Sequence, residues 1–340
     1  MVSSTISLAG FILPISTTLH VDPRAKLTSR RPSTIPASRN LSRASVRCSV
    51  KEDPATTKTE SRTKTIRVVA SDVDGTLLKT DHTMDTQLAE LIVDMMEDGI
   101  VFFPATGKCR TGAVNSFAEP LKSTLGYNCP GVYLQGLTVF GRDGNLIYEN
   151  TLNALIVTKV VEKARELNCS WVAYSGESLV CEEMDPLVDS LTVYHEPRAI
   201  EIPDLLHAVQ MQQIKIHKML LLSETKEFID QIRPSIEKLV NNVASLTQAQ
   251  PDMLEILPFG ASKGKGVSIL LEHYGFRQEE LLAIGDAEND LEMLKNAGIG
   301  CAVDNAMPSV KKIADYIVKS NNQMGVGDAI QQFVKFARGE

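Results

Sequence analysis

Asp72 and Asp74 stand two residues apart in Ser71-Asp72-Val73-Asp74-Gly75-Thr76, directly after the apolar run at residues 66–71. Such a run reads as a buried strand. In open α/β sheets the reactive groups gather beyond the carboxyl ends of the strands. Two carboxylates so close repel each other, and the pair is costly unless a cation or a proton sits between them. The arrangement suits phosphoryl transfer. Asp72 can attack phosphorus and carry the phosphoryl group as an aspartyl-phosphate, while Asp74 can protonate the leaving oxygen and then activate water. Gly75 permits a sharp turn, and the Thr76 hydroxyl can orient it. Either Asp taken singly would read as an ordinary Asx turn.

Asp-x-Asp-Gly-Thr-Leu after an apolar strand resembles the first motif of the haloacid dehalogenase-like hydrolases. The resemblance runs through residues 66–335 and is closest to the Cof-type phosphatases, which carry a large type IIB cap between their second and third motifs. Ala105-Thr106-Gly107 falls where the second motif belongs, and the Thr106 hydroxyl and Gly107 amide are suited to hold phosphate oxygens. The family usually has Arg next. Here Lys108 offers a point charge rather than a planar fork, with Arg110 as a candidate to compensate. Ser262-Lys263-Gly264 resembles the third motif, in which the lysine pairs with the nucleophilic carboxylate and the phosphate; Lys265 is the rival. Gly285-Asp286-Ala287-Glu288-Asn289-Asp290 matches the fourth motif. It implies Asp286 as a Mg²⁺ ligand, Asp290 as holder of metal-bound water or of Lys263, and Asn289 as a contact to phosphate or to Asp290. The implied metal set is Asp72, the Asp74 backbone carbonyl, Asp286 and Asp290, hard oxygens that suit Mg²⁺. Gln135-Gly136 stands where relatives often show Asn-Gly, and residues 321–327 resemble the family's closing Gly-Val stretch. Residues 260–266 superficially suggest a phosphate-binding P-loop, but its spacing is not met.

The elements that must position these residues follow a rhythm. Residues 85–98 have helical spacing closed by Gly99, residues 100–105 read as a second strand, and a helix is expected through residue 121. This β-α-β-α order implies a parallel sheet with helices on its faces. From about residue 132 the pattern changes. A strand at 132–140 and another at 145–148 flank Arg142-Asp143-Gly144, a hairpin signal. A helix at 152–167, a hairpin at 170–182, a helix near 203–213, a strand at 214–222, a helix at 226–240 and strands at 243–248 and 253–256 make an α+β unit with its helices to one side. The α/β rhythm returns with a helix at 263–274, a strand at 281–284, a helix at 291–296 and a strand at 299–302. The expected fold is therefore α/β, a Rossmann-like parallel-sheet core at 65–150 and 259–340, interrupted by an α+β cap at 151–258.

Composition narrows the function. The chain has 340 residues, 43% hydrophobic and 23% charged, an ordinary globular balance. Residues 1–50 hold seven basic residues and one acidic, +6; the whole chain is −7, which leaves −13 for residues 51–340. A body that acidic repels phosphate backbones, so no nucleic-acid partner is expected. No apolar stretch is long enough for a spanning helix, so no membrane partner is expected either. Residues 1–50 also contain ten Ser and five Thr. That composition matches a transit peptide, expected to lead to the chloroplast stroma, with the mitochondrion as the alternative. Residues 51–64 read as a linker. Six Cys without a CxxC pair are expected to be free thiols in a reducing compartment.

The resemblance implies Mg²⁺-dependent hydrolysis of a small phosphorylated metabolite, such as a sugar phosphate, a flavin-pathway intermediate or pyridoxal phosphate. A phosphosugar mutase and a non-catalytic phosphometabolite binder on the same fold are the alternatives. Tyr174, Glu177, Glu182, His195 and Arg198 are candidates to line the pocket from the cap. The sequence carries no sign of oligomeric state.

Overall fold

A computed structural model describes residues 65–248 and 250–336. The expected transit peptide and linker lie outside the described residues. The chain begins with β1 (Val68–Ser71), buried at every position as a strand covered on both faces must be. It continues with α1 (Thr86–Glu97), β2 (Val101–Pro104), α2 (Arg110–Ser116) and α3 (Leu121–Leu125). The Asp85 side chain caps α1 by accepting from the Gln87 amide, and Gly99 ends it at φ +86°. The single helix expected through residue 121 is broken. Pro120 has no amide to donate and disfavours helix in the residue before it, so α2 stops at Ser116 and α3 restarts at Leu121.

Next come β3 (Gly131–Tyr133), β4 (Thr138–Phe140) and β5 (Leu146–Glu149), a small antiparallel sheet. The one strand expected over 132–140 is split in two. Leu134, Gln135 and Gly136 all take positive φ (51°, 62° and 88°). Only glycine fits at residue 136, where a Cβ would lie 2.1 Å from the Ser262 carbonyl oxygen.

The inserted unit holds α4 (Ala154–Glu166), β6 (Ser170–Ser175), β7 (Ser178–Cys181), α5 (Pro186–Ser190), β8 (Ile200–Glu201), α6 (Leu205–Gln210), β9 (Lys218–Leu222), α7 (Lys226–Val240), β10 (Ala244–Thr247) and β11 (Met253–Pro258). Its six-stranded sheet runs β10-β11-β9-β6-β7-β8. The pairing register sorts its side chains by period two. Ala173, Met219, Leu221, Leu254 and Ile256 face α4, α6 and α7 and form a core of their own. Tyr174, Lys218, Leu220, Met253 and Glu255 fall on the opposite face. The strand expected over 214–222 begins only at Lys218, after a turn at Gln212 with φ +56°.

The chain then returns through α8 (Lys263–Tyr274), β12 (Leu281–Gly285), α9 (Leu291–Asn296), β13 (Ile299–Val303), α10 (Pro308–Ile313), β14 (Tyr316–Val318) and α11 (Gly325–Phe333). The five-stranded sheet β14-β13-β12-β1-β2 is parallel throughout, the Rossmann-like core that the sequence rhythm implies. Its register matters for the site. Ser71 lies beside Ile284 on one side and Pro104 on the other, so the segments that follow β1, β12 and β2 emerge together. Among the described residues no helix is long and apolar enough to cross a membrane.

Candidate active site

Asp72 leaves β1 buried, 5% exposed, its amide bonded to the Ile284 carbonyl of the neighbouring strand. The turn beyond it is tight. Gly75 has φ +77°, and a Cβ there would lie 2.6 Å from Asp286 Oδ2, so this position holds the two acidic loops together. The Thr76 hydroxyl donates to Asp286 Oδ1 at 3.1 Å. Lys263, first residue of α8 and 1% exposed, donates to Asp72 Oδ1 at 2.5 Å and Asp290 Oδ1 at 2.8 Å. The Ser262 side chain caps that helix by accepting from the Lys265 amide. Lys265 itself points elsewhere, over the Tyr148 ring.

Oxygens of Asp72, Asp286 and Asp290 lie within 4.8 Å of one another. Lys263 pairs with Asp72 and Asp290, one ammonium group against three carboxyl groups, so the cluster keeps an excess of negative charge when all three are ionised. Burial first, then repulsion from Asp72 and Asp290, pushes the Asp286 carboxyl up to about 8. Burial works against the charge on Lys263, yet Asp290 and Asp72 outweigh it and hold its pKa above the ordinary value. The donor set, three carboxylates short of one cation in a loop cradle that a Cβ would fill, fits a divalent hard ion. Asp290 differs from its partners: Oδ1 receives Lys263 and Oδ2 receives the amides of Asp286 and Ala287, both at 3.0 Å.

The Asp74 carboxylate lies outside this trio. Its Oδ2 pairs with Lys108 Nζ at 3.0 Å, and its buried Oδ1 has no hydrogen-bond partner, with His82 Nδ1 3.9 Å away. Lys108, 4% exposed, also donates to the Tyr194 carbonyl at 2.5 Å. Arg110 does not join it; the guanidinium stacks 3.7 Å from the Phe140 ring centroid and donates to the Gly144 carbonyl. Thr106 is buried, with its hydroxyl accepting from the Lys108 amide. The Asn289 side chain donates to Gln135 Oε1 at 3.0 Å and keeps a buried oxygen without a partner.

Asp72, Asp74, Thr106, Gly107, Lys108, Asp286 and Asn289 line one cavity of about 410 Å³, with Lys263 and Asp290 behind them. The cap and further core residues, among them Lys79, His82 and Asn305, line the rest. Of the five cap candidates only Tyr174 faces the cavity. Glu177 instead accepts from the Thr111 amide and hydroxyl, Glu182 pairs with Arg165, His195 Nε2 meets the His82 carbonyl at 2.9 Å, and Arg198 pairs with Asp189.

Sequence reasoning missed the residues that join cap to core. Glu196, 7% exposed, accepts from the Cys109 amide at 3.3 Å and the Tyr174 hydroxyl at 3.2 Å. Lys218 donates to the Gly107 carbonyl at 2.7 Å and to Glu255 Oε2 at 3.1 Å. Gln135 donates to both Glu255 oxygens at 3.2 Å. A signal existed for one of these: Glu255 is a lone charge in the otherwise apolar run 253–258, and a charge buried in a strand needs a partner. Asn305 donates to the Gly75 carbonyl and accepts from the Asn321 amide, while Asn321 donates to the Leu78 carbonyl, so residues near the C-terminal end brace the Asp74 turn.

Comparison with known proteins identifies the family and the fold. The family profile described as haloacid dehalogenase-like hydrolase matches residues 69–330. The chloroplastic endoribonuclease YBEY of Arabidopsis thaliana is 36% identical over 267 residues, 77% of this chain but 45% of that protein, so the chain spans less than half the length of that relative. A protein of Streptococcus pyogenes serotype M6 named as a phosphatase is 28% identical over 270 residues, 79% of this chain and 98% of its own. Among solved structures, a haloacid dehalogenase-like hydrolase from Bacteroides thetaiotaomicron is 28% identical, covers 78% of this chain and 99% of its own, and has a TM-score of 0.70.

Proposed function

The chain belongs to the haloacid dehalogenase-like hydrolases, and on that premise we propose that it is a Mg²⁺-dependent phosphatase that cleaves a small phosphorylated metabolite through an aspartyl-phosphate on Asp72. One observation carries this reading: oxygens of three carboxylates gather beyond the ends of β1 and β12 within 4.8 Å of one another, with one lysine that pairs with Asp72 and Asp290.

Asp72 and Asp286, with Asp290 behind them and the Asp74 backbone carbonyl beside them, would hold Mg²⁺, which neutralises phosphoryl oxygens and lets an anionic nucleophile meet an anionic ester. Lys263 orients Asp72 through one oxygen and Asp290 through the other side of its ammonium group. Thr106 and the Gly107 amide supply donors to the phosphoryl oxygens, with Asn289 close by. An Asp72 oxygen attacks phosphorus while the bond to the leaving oxygen breaks. Asp74 gives its proton to that oxygen and the alcohol departs. Asp74 then takes a proton from water, whose oxygen attacks the same phosphorus and frees Asp72 and inorganic phosphate. Lys108, bound to Asp74 on one side and the cap on the other, holds that acid in place. The cap at residues 151–258 excludes bulk water.

The Ser- and Thr-rich, basic residues 1–50 and the chloroplastic relative together support delivery to the chloroplast stroma. The test of the reaction is phosphate release from p-nitrophenyl phosphate by the purified full chain, with Mg²⁺ and with EDTA. Turnover should require Mg²⁺ and should vanish in Asp72→Asn. Turnover that persists in Asp72→Asn contradicts the nucleophile assignment. Isomerisation of a sugar phosphate without phosphate release would mark a mutase, and tight binding without turnover a binder.

A further inference from the structure

The charged cap residues that face the cavity are all hydrogen-bonded within the protein, and this bears on the leaving group. Lys218 is spent on the Gly107 carbonyl and Glu255, and its ammonium group sits 4.5 Å from the Tyr174 ring centroid. Glu255 is spent on Lys218 and Gln135. Glu196 receives the Cys109 amide and thiol and the Tyr174 hydroxyl. On the core side of the mouth, Lys79 pairs with Asp85, and the Thr80 hydroxyl accepts from Asn322. What the cap presents to the cavity after this pairing is Leu191, Leu220, Met253 and the Tyr194 ring. Gln250, His82 and the Tyr194 hydroxyl keep spare capacity, enough for one or two polar substituents.

Resting on the phosphatase reading, we propose that the leaving group is a compact alcohol with an apolar or aromatic body and few hydroxyls, and that Leu191, Tyr194, Leu220 and Met253 form the wall that selects it. A polyhydroxylated sugar would bring several hydroxyls against this wall. Each one stripped of water without a new partner weakens binding by about tenfold or more. Two features support an apolar occupant. Leu220 and Met253 lie on the same face of the cap sheet as Lys218 and Glu255, so that half of the wall is fixed by strand register. Tyr194 in turn is held to the core, with its carbonyl on Lys108 and its ring edge-to-face with His82 at 4.9 Å.

The experiment compares kcat/KM of the full chain with Mg²⁺ for benzyl phosphate, glucose 6-phosphate and glycerol 3-phosphate, together with competitive binding of benzylphosphonate and the phosphonate analogue of glucose 6-phosphate. Benzyl phosphate should exceed both others by about tenfold or more, benzylphosphonate should bind more tightly by a similar factor, and Met253→Gln, which puts an amide into the wall at nearly constant size, should shrink both ratios. A preference for either hydroxylated ester, equal phosphonate affinities, or ratios untouched by Met253→Gln would overturn the proposal. If no ester is cleaved but benzylphosphonate still binds more tightly, the selective wall stands and the phosphatase reading falls. If neither phosphonate binds, both fall.

Discussion

On the core side of the cavity three carboxylates, Asp72, Asp286 and Asp290, crowd together, and the Lys263 ammonium group pairs with Asp72 and Asp290. On the cap side Glu255 meets Lys218 and the Gln135 side-chain amide, Glu196 meets the Cys109 amide and thiol and the Tyr174 hydroxyl, and every oxygen finds a partner. Both sets are buried. The core set is left with surplus negative charge that a proton or a cation can relieve. The cap set closes on itself, bridges the two units and leaves an apolar wall. Burial of charge thus serves two ends in one cavity, reactivity where the pairing is incomplete and shape where it is complete.

Substitutions should separate the two. The largest effect is expected for Asp72→Asn, which should keep the shape and remove the proposed nucleophile. Turnover should fall by roughly 10⁴-fold or more, with circular dichroism unchanged, as steady-state assays would show. Asp74→Asn should lower kcat by about 10²- to 10⁴-fold, the range for losing a positioned acid–base. Its effect on kcat/KM, which reports the step that releases the alcohol, should be smallest on esters with an acidic leaving alcohol, which needs no proton; equal losses in kcat/KM across leaving groups would contradict the acid role. Lys263→Met breaks the core pairing itself. It leaves Asp72 and Asp290 buried without their counter-charge and should cost about 3–5 kcal/mol of stability by urea unfolding. Glu255→Gln tests the cap side. It should destabilise by about 1–3 kcal/mol by freeing Lys218, yet change kcat with benzyl phosphate by less than about tenfold. A loss as large as that of Asp74→Asn would erase the distinction between the two sides.

The smallest effect concerns pH. Burial, then Asp72 and Asp290, raise Asp286 from 3.8 to about 8. A carboxyl with a raised folded-state pKa binds its proton more tightly when folded. For this group stability is therefore greatest below the unfolded value and falls as pH climbs toward 8. Mg²⁺ competes with that proton. The gain in Tm on exchanging EDTA for Mg²⁺ should be larger near about pH 8 than near about pH 5.5, and equal gains would contradict the picture.

The core side was legible in the sequence because its residues follow strands. Asp72 and Asp74 after residues 66–71, Thr106 after residues 100–105, and Asp286 after residues 281–284 sit at strand ends that a parallel sheet must bring together. The cap side was less legible because its contacts depend on how two units meet. Nothing local marks Glu196 as the partner of Cys109, 87 residues away, and Glu177, His195 and Arg198 are as polar as Glu196 but face elsewhere. Gln135 was noted only as a departure from Asn-Gly; its left-handed backbone and its span from Asn289 to Glu255 arise from close packing against α8. β14 and α11 went unplaced, the first because three residues carry no readable period, the second because Gly325 and Gly327 dilute its helical signal.

The most direct test of the central claim is capture of the covalent intermediate. The full chain would be mixed with benzyl phosphate and Mg²⁺, quenched in acid and reduced with borohydride, which converts an acyl phosphate to an alcohol, and the reduced residue located by peptide mass spectrometry. The account predicts reduction at Asp72, dependent on ester and on Mg²⁺, and absent in Asp72→Asn. Reduction at Asp74 or Asp286, or phosphate release from an enzyme that never shows a reducible carboxyl, would contradict it.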